Sequence, residues 1–288
     1  MKRFIINIVL ICAAGSFYAA AQQHEFSVHG SGGLSTLNYK LSMGERSGGG
    51  GGSFGVGYTY FRGGERASST GTVLRDSWGI HTGVGLGFYS ATARIDGERS
   101  VITGLVDNDT DLFDLHTILS GYTENQTAML LHIPVMGVIQ INQFYVKGGL
   151  KFGIPVSGKY QSKDATLVNE FHYTGLGQGV VLSRNDEHFA GFGTFPNRSS
   201  EGNIDLGVST MLSFEAGMKF RIAHNLSLYA GAYFDYGLNN AVKSGNQPLV
   251  NFDPANPTGF TTNSVLTSLT EKVNTMSIGV KLRLAMIR

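Results

Sequence analysis

The sequence has almost no cysteine. The single cysteine of the 288-residue chain is Cys12, which lies in an N-terminal segment that has a cationic start at Lys2 and Arg3, then an apolar run and then small residues. These three parts are typical of a secretory signal peptide, so we expect residues 1–21 to be removed and residues 22–288 to form the mature domain. That domain would contain no thiol, which excludes disulfides and cysteine-ligated metals.

A charge excess and long apolar runs are also missing. Removing Lys2 and Arg3 leaves 20 basic residues against 21 acidic ones, a net charge of −1, and nothing in this balance points to nucleic acid. No run after residue 21 approaches the roughly 20 apolar residues of a membrane helix. The leader's own run is short and is interrupted by Asn7, which disfavours a membrane anchor. Long helical periodicity is absent too, which disfavours a helix-rich enzyme.

What the chain has instead is glycine, aromatic residues and strict alternation. It contains 40 Gly, 18 Phe and 12 Tyr. Its last segment, MSIGVKLRLAMIR, places apolar side chains at every second position from Met276 to Met286, with small or charged residues between them. Because successive side chains of a strand point to opposite sides, this segment is predicted to be a strand with one apolar face.

Seven further segments alternate in the same way. They are EFSVHGSGGL, FGVGYTYF, WGIHTGVGLGFY, LHIPVMGVIQI, FYVKGGLKFGIPV, LSFEAGMKFRI and LSLYAGAYFDYGL. A soluble β-sandwich would alternate as well, so the lengths of the connections are needed to distinguish a sandwich from a membrane barrel. Two of the connections are only QINQ and AHN, whereas those before and after run to roughly 33–48 residues, as in outer-membrane barrels. We therefore predict an all-β fold: a transmembrane antiparallel up-and-down β-barrel of eight strands, with short periplasmic turns and long extracellular loops.

One connection departs from this alternation of short turns and long loops. Residues 63–75, GGERASSTGTVLR, should form a short periplasmic turn but are 13 residues long. Either the turn is elongated, or the two adjacent strands extend beyond the membrane.

Three stretches resemble a known family. LHIPVM is similar to the L-x-I-P-L-L segment of the PorT-like outer-membrane barrels of Bacteroidota, and VNTMSIGVKLRL and WGIHTGVGLGFY also look like that family. The chain departs from it at His132, where the family usually has an acidic residue, and it ends in Arg288, where many outer-membrane barrels end in an aromatic residue. The resemblance implies the barrel fold and an outer-membrane location more than an activity, because members of one fold differ in role.

Charged residues at inward positions of the predicted strands form a lumen charge network. Its members are Glu25, Lys147, Lys151, Glu215, Lys219, Arg221, Asp235, Lys281 and Arg283. We expect Lys151 to pair with Glu215, because both lie at similar heights on adjacent strands and a buried unpaired charge is costly. An eight-stranded barrel is just wide enough to be filled by its own side chains, so the network is predicted to be a salt-bridged plug. The alternative is a narrow, weakly anion-preferring pore.

Two motifs suggest ligands only weakly. Asp107, Asp109 and Asp111 match the first three ligand positions of a calcium loop, but its glycine and its final glutamate are missing. The other interpretation is an acidic loop followed by a short helix, TDLFDLHTIL. GIPVSGKY resembles a phosphate-binding loop, but Tyr160 replaces the hydroxyl residue that would hold Mg²⁺. We predict no metal site and no cofactor.

Histidines raise the question of an envelope enzyme. His29, His81 and His132 are at inward positions on separate strands, and no G-x-S-x-G motif accompanies them. A lipid-modifying enzyme is therefore the least favoured function, and we predict that the protein is not an enzyme.

The function predicted from the sequence is a membrane-embedded scaffold in the cell outer membrane. Its surface loops, roughly residues 91–127, 159–205 and 239–272, would serve binding or envelope integrity, since rigid scaffolds often carry binding sites on loops. The expected partners are outer-membrane lipid and lipopolysaccharide, the barrel-insertion machinery, and an extracellular ligand bound through the loops; nucleic acid is not expected.

Overall fold

The computed structural model describes residues 22–67, 73–107, 110–173, 180–182, 191–243, 247–253, 255–256 and 258–288. The leader predicted at residues 1–21 lies outside them. Among these described residues, no helix has the length and apolar character needed to cross a membrane.

Eight long antiparallel strands close into a ring. They are β1 (Gln22–Tyr39), β3 (Gly50–Ala67), β4 (Val73–Ile95), β7 (Tyr122–Ile141), β8 (Phe144–Tyr173), β11 (Ser209–Ala223), β12 (Leu226–Gly237) and β15 (Val273–Ile287). Each pairs with the next in this order, and β15 pairs with β1 to close the ring. This confirms the predicted eight-stranded up-and-down barrel.

The other elements are shorter. They are β2 (Glu45–Gly48), β5 (Glu98–Val106), β6 (Leu112–Ser120), β9 (Val180–Leu182), β10 (Gly193–Asn203), β13 (Val250–Asn251), β14 (Thr261–Thr262) and a four-residue helix, α1 (Val265–Ser268). Tight turns at residues 142–143 and 224–225 lie at one end of the ring, which we call the turn end. The opposite end, which carries the long connections, is the loop end.

The outer surface of the ring is apolar. Along β8, alternate residues from Phe144 to Val156 point outward and the apolar ones are between 36% and 63% exposed. The residues between them, such as Tyr145 and Lys147, are buried inside. Apolar side chains outside and polar ones inside are the arrangement of a transmembrane barrel, whose exterior contacts lipid.

At the turn end, the described parts of the irregular connection at residues 63–75 are strand extensions. Strands β3 and β4 stay paired from Arg62 and Trp78 down to Ala67 and Val73. Of the two alternatives left open by the sequence, the adjacent strands are therefore extended; residues 68–72 lie outside the described part of the chain.

At the loop end, the strands also continue well past the apolar belt. Strand β8 runs to Tyr173, so the surface loop predicted at residues 159–205 does not begin at residue 159. Strand β6 pairs with β5 on one side and with β8 on the other. The prediction of a short helix in TDLFDLHTIL was wrong. Phe113, Leu115 and Leu119 alternate at a period of two, and pairing on both edges satisfies the backbone of a strand there.

The last two long connections fold over the opening of the ring. A cluster of buried apolar residues joins them to the extended strands; its members from these connections include Phe192, Phe195, Ile204, Leu206, Val242, Leu249, Phe260, Val265 and Leu266. We call this cluster, with the chain that supplies it, the cap. The predicted surface loops thus form, over their described residues, a packed second core above the barrel.

Candidate functional site in the barrel interior

The wall of the barrel is shaped around three histidine rings. Inward glycines of β3 and β4 leave room for a ring from a neighbouring strand, and a methyl group there would press on it; the couples are Gly55 with His29, Gly57 with His81, and Gly87 with His132. His81 Nδ1 is 2.8 Å from Thr59 Oγ1, and His132 Nε2 is 3.0 Å from the hydroxyl of Tyr89. The three histidine rings therefore occupy separate positions, each packed against the barrel wall.

Nearest the turn end, one ion pair crosses the interior. Lys219 Nζ lies 2.8 Å from Glu25 Oε1, and the Tyr229 hydroxyl donates to the same carboxylate at 2.7 Å. Glu25 is fully buried. One carboxylate and one ammonium balance each other here.

Towards the loop end, a second pair is equally balanced. Lys151 Nζ is 2.6 Å from Asp235 Oδ2, and the Ser213 hydroxyl donates to Asp235 Oδ1 at 2.5 Å. The predicted pairing of Lys151 with Glu215 was wrong.

The error came from the stagger between β8 and β11. Their register sets Lys151 opposite Met211 and Lys147 opposite Glu215. Met218 is paired with Phe144, so β11 continues beyond the start of β8 at the turn end. Closing a ring of tilted strands requires such stagger, and equal heights counted from the turns do not reveal it.

Between the two pairs lies a group that we call the central cluster: Glu215, Lys281, Lys147 and Arg283. Glu215 Oε2 is 2.9 Å from Lys281 Nζ, and Glu215 Oε1 is 3.6 Å from Lys147 Nζ. The guanidinium of Arg283 lies 3.7 Å from the ring centroid of Tyr229, a cation–π distance, and its Nη1 donates to Thr59 Oγ1 at 3.4 Å.

Arg221 does not belong to this interior. Its side chain is exposed at the turn end of β11. Arg221 is still paired in regular register with Ser227, and the register of β11 and β12 shifts only after it. It therefore keeps the inward alternation seen in the sequence, but it lies at the end of the strand, where the barrel meets solvent.

On the loop-end side of the pair of Lys151 with Asp235, uncharged side chains contact one another across the interior. The Tyr89 hydroxyl lies 3.5 Å from Met211 Sδ, and the hydroxyls of Ser209 and Thr275 are 2.7 Å apart. The apolar core of the cap follows directly.

A buried carboxylate that the sequence analysis missed anchors the cap. Glu124 of β7 is fully buried and accepts hydrogen bonds from the hydroxyls of Tyr122 at 2.6 Å and Ser264 at 2.7 Å, and from the backbone N–H of Val265 at 3.0 Å. The amide of Gln126 donates at 2.9 Å. Burial raises the pKa of Glu124, an effect that these hydrogen bonds oppose. The sequence carried no signal for this role, because Glu124 lies in the segment predicted to be the surface loop 91–127.

In the segment with the partial calcium motif, Asp107 is used in hydrogen bonds within the chain. Asp107 accepts hydrogen bonds from the backbone N–H of Asp111 and from the Tyr173 hydroxyl, both at 2.9 Å. Asp109 lies outside the described residues. Across the described ranges, no three His, Cys, Asp or Glu side chains are grouped to hold a metal ion. The segment that resembles a phosphate-binding loop, residues 153–160, is a continuous part of β8.

Comparisons with known proteins show similarity of form at low identity. No protein-family model matches the chain, and no curated protein matches it. The structure of Ail, the attachment invasion locus protein of Yersinia pestis, in complex with the heparin analogue sucrose octasulfate, is similar at 12% identity and a TM-score of 0.30, over 92% of this chain and 99% of that one.

Two further solved structures are matched. Neisserial surface protein A is similar at 10% identity and a TM-score of 0.23, over 91% of this chain and 94% of that one. The translocator domain of the autotransporter NalP from Neisseria meningitidis is similar at 10% identity and a TM-score of 0.14, over 99% of this chain and 95% of that one. At these TM-scores the description of the chain as a barrel comes from its own strand pairing, and the resemblance to the PorT-like barrels stays a prediction.

Proposed function

We propose that this protein is a non-enzymatic scaffold of the outer membrane that presents a rigid folded surface, the cap and its extended strands, to the cell exterior for binding or envelope integrity. The leader at residues 1–21 would export it, and the barrel-insertion machinery would place residues 22–288 among outer-membrane lipid and lipopolysaccharide. The loop end would face outward and the short turns would face the periplasm.

The observation that carries this proposal is the closure of the barrel at its loop end. Three levels of buried charged residues cross the interior, and the packed apolar core of the cap lies above them. A path for ions would have to break ion pairs whose separation in a low-dielectric interior is costly. Such a barrel is suited to holding a surface in place rather than to conducting solutes.

Rigidity of the cap supports a display role. Glu124 on β7 ties down Ser264 and Val265, which lie some 140 residues further along the chain. A surface that is already ordered loses less conformational entropy when a partner binds. A preformed surface therefore favours binding of a specific partner.

Single-channel recording tests the closed lumen. Refolded residues 22–288 in a planar bilayer should give no discrete conductance steps, with heat-dependent gel mobility showing that the barrel is folded. Regular steps that fall in Lys151→Glu would contradict the scaffold proposal and support the anion-preferring pore.

Cysteine labelling tests the orientation, because the predicted mature chain has no cysteine of its own. Glu201 is exposed on β10 at the loop end, and Asn225 is exposed in the turn between β11 and β12. On intact cells, a membrane-impermeant maleimide should label Glu201→Cys and leave Asn225→Cys unlabelled, and lysis should make both reactive. The reverse pattern would overturn the proposed orientation.

A further inference from the structure

The charges of the barrel interior are unevenly distributed. The pair of Glu25 with Lys219 and the pair of Lys151 with Asp235 each contain one charge of either sign. The central cluster instead has three basic side chains, Lys281, Lys147 and Arg283, around the single carboxylate of Glu215. The surplus of basic over acidic side chains in the described interior is therefore concentrated at one level of the barrel.

Two of these cations also have unused hydrogen-bond donors. Lys147 is fully buried and Arg283 is 1% exposed. Lys147 Nζ, Arg283 Nε and Arg283 Nη2 have no hydrogen-bond partner within the described structure, and neither has Glu215 Oε1, which faces Lys147 Nζ at 3.6 Å. A buried donor without a partner costs free energy, and more so when it is charged.

Two of the unused donors lie side by side on Arg283, and that of Lys147 belongs to the same cluster. Nε and Nη2 are the two donors on one edge of the guanidinium, which bind an anion side by side, while Nη1 on the other edge is used by Thr59. Arg283 Cζ and Lys147 Nζ lie 5.5 Å and 5.9 Å from the same ring centroid, that of Tyr145. The unpartnered Nδ1 of His29 belongs to the residue directly opposite Arg283 in the register of β1 and β15.

We propose that the central cluster binds a small inorganic anion of the halide class, held by the free edge of Arg283 and by Lys147. A water molecule would satisfy the donors but would leave the charge unbalanced. A small ion is required because an eight-stranded barrel is nearly filled by its own side chains. This inference goes beyond the proposed function, because it concerns the interior and holds whatever the cap binds.

Thermal unfolding of the refolded mature barrel tests this site. Its single tryptophan, Trp78, lies outward on β4 and reports unfolding by fluorescence. At constant ionic strength, replacing gluconate by bromide should raise the midpoint, and the rise should increase with the logarithm of bromide concentration, as expected of a ligand that binds only the folded state. Equal midpoints in the two salts would overturn the proposal.

Two variants separate the site from general effects of salt. Lys147→Met should remove the bromide-dependent rise and should be at least as stable as the parent protein in gluconate, because it removes a surplus charge. Lys151→Met, the matched control, should be less stable in both salts and should keep the rise, because it leaves Asp235 unpaired. A full bromide effect in Lys147→Met would refute the assignment.

Crystals soaked in bromide would locate the ion directly. The expected result is an anomalous peak beside Nε and Nη2 of Arg283, inside the barrel. Peaks found only on the outer surface would overturn the proposal even if bromide stabilised the protein.

Discussion

Replacing Asp235 by alanine is expected to be among the most damaging single changes in the barrel. Asp235 is 1% exposed and its carboxylate holds Lys151 Nζ at 2.6 Å and the Ser213 hydroxyl at 2.5 Å. Its loss leaves a buried ammonium without a partner, which costs about 3–5 kcal/mol of unfolding free energy. The orphaned serine hydroxyl adds about 1 kcal/mol.

The double variant gives the sharper test. When Lys151→Met accompanies Asp235→Ala, no charge is left buried, and an apolar replacement of a buried pair is often close to neutral. We therefore expect the double variant to be more stable than Asp235→Ala alone, with a coupling free energy of about 2–3 kcal/mol between the two sites.

Urea unfolding of the refolded mature chain in phospholipid vesicles, followed by Trp78 emission, measures these differences. Asp205→Ala is the matched control: Asp205 forms a 3.1 Å ion pair with Lys243 near the cap, but the side chains are 67% and 69% exposed, so its loss should cost less than about 1 kcal/mol. If Asp235→Ala costs no more than Asp205→Ala, or if the double variant is as unstable as the two single losses combined, the reasoning from burial is refuted.

Three further outcomes follow from the packing. Gly87→Ala should lower stability by about 1–3 kcal/mol because its methyl group meets the ring of His132, and adding His132→Ala should recover part of the loss, as measured by the same unfolding assay. Phe113→Ala removes a fully buried ring from the cap and should cost about 3–5 kcal/mol there; proteases should then cleave the loop end while the barrel stays resistant. Because burial raises the pKa of Glu124, the folded cap binds a proton more tightly than the unfolded chain, so its added stability is complete below about pH 4 and is lost as the pH rises through the raised pKa. The protection of the amides of residues 258–272, which is the slowing of their exchange relative to the intrinsic rate at the same pH, should fall over that range, and Glu124→Gln should remove this fall; protection that falls equally in the variant would exclude Glu124 as its source.

Strand identity could be predicted because alternation is a local property. In the last segment of the chain, Ile278, Val280 and Leu282 are exposed outward whereas Ser277 and Arg283 are buried inward, as the pattern indicated. A strand turns each side chain to the side opposite its neighbour, whatever the rest of the chain does. The ring of eight strands followed from the same alternation combined with the lengths of the connections.

The cap could not be predicted in the same way. Residues 110–119 were interpreted as a short helix behind an acidic loop, yet residues 112–120 form a strand, because the extension of β8 provides a pairing edge beyond the apolar belt. Glu124 is an unremarkable residue in the sequence, and its role depends on Ser264, which only the folded chain brings within 2.7 Å.

The sequence by itself determined the barrel, its two faces and, apart from Arg221, the charges that enter the lumen. Tertiary structure alone decided which of those charges meet, since Lys151 bonds to Asp235 across 84 positions of sequence and not to Glu215. The physical reason is that inward or outward direction depends on neighbouring residues, whereas ion pairing depends on the stagger with which the ring closes.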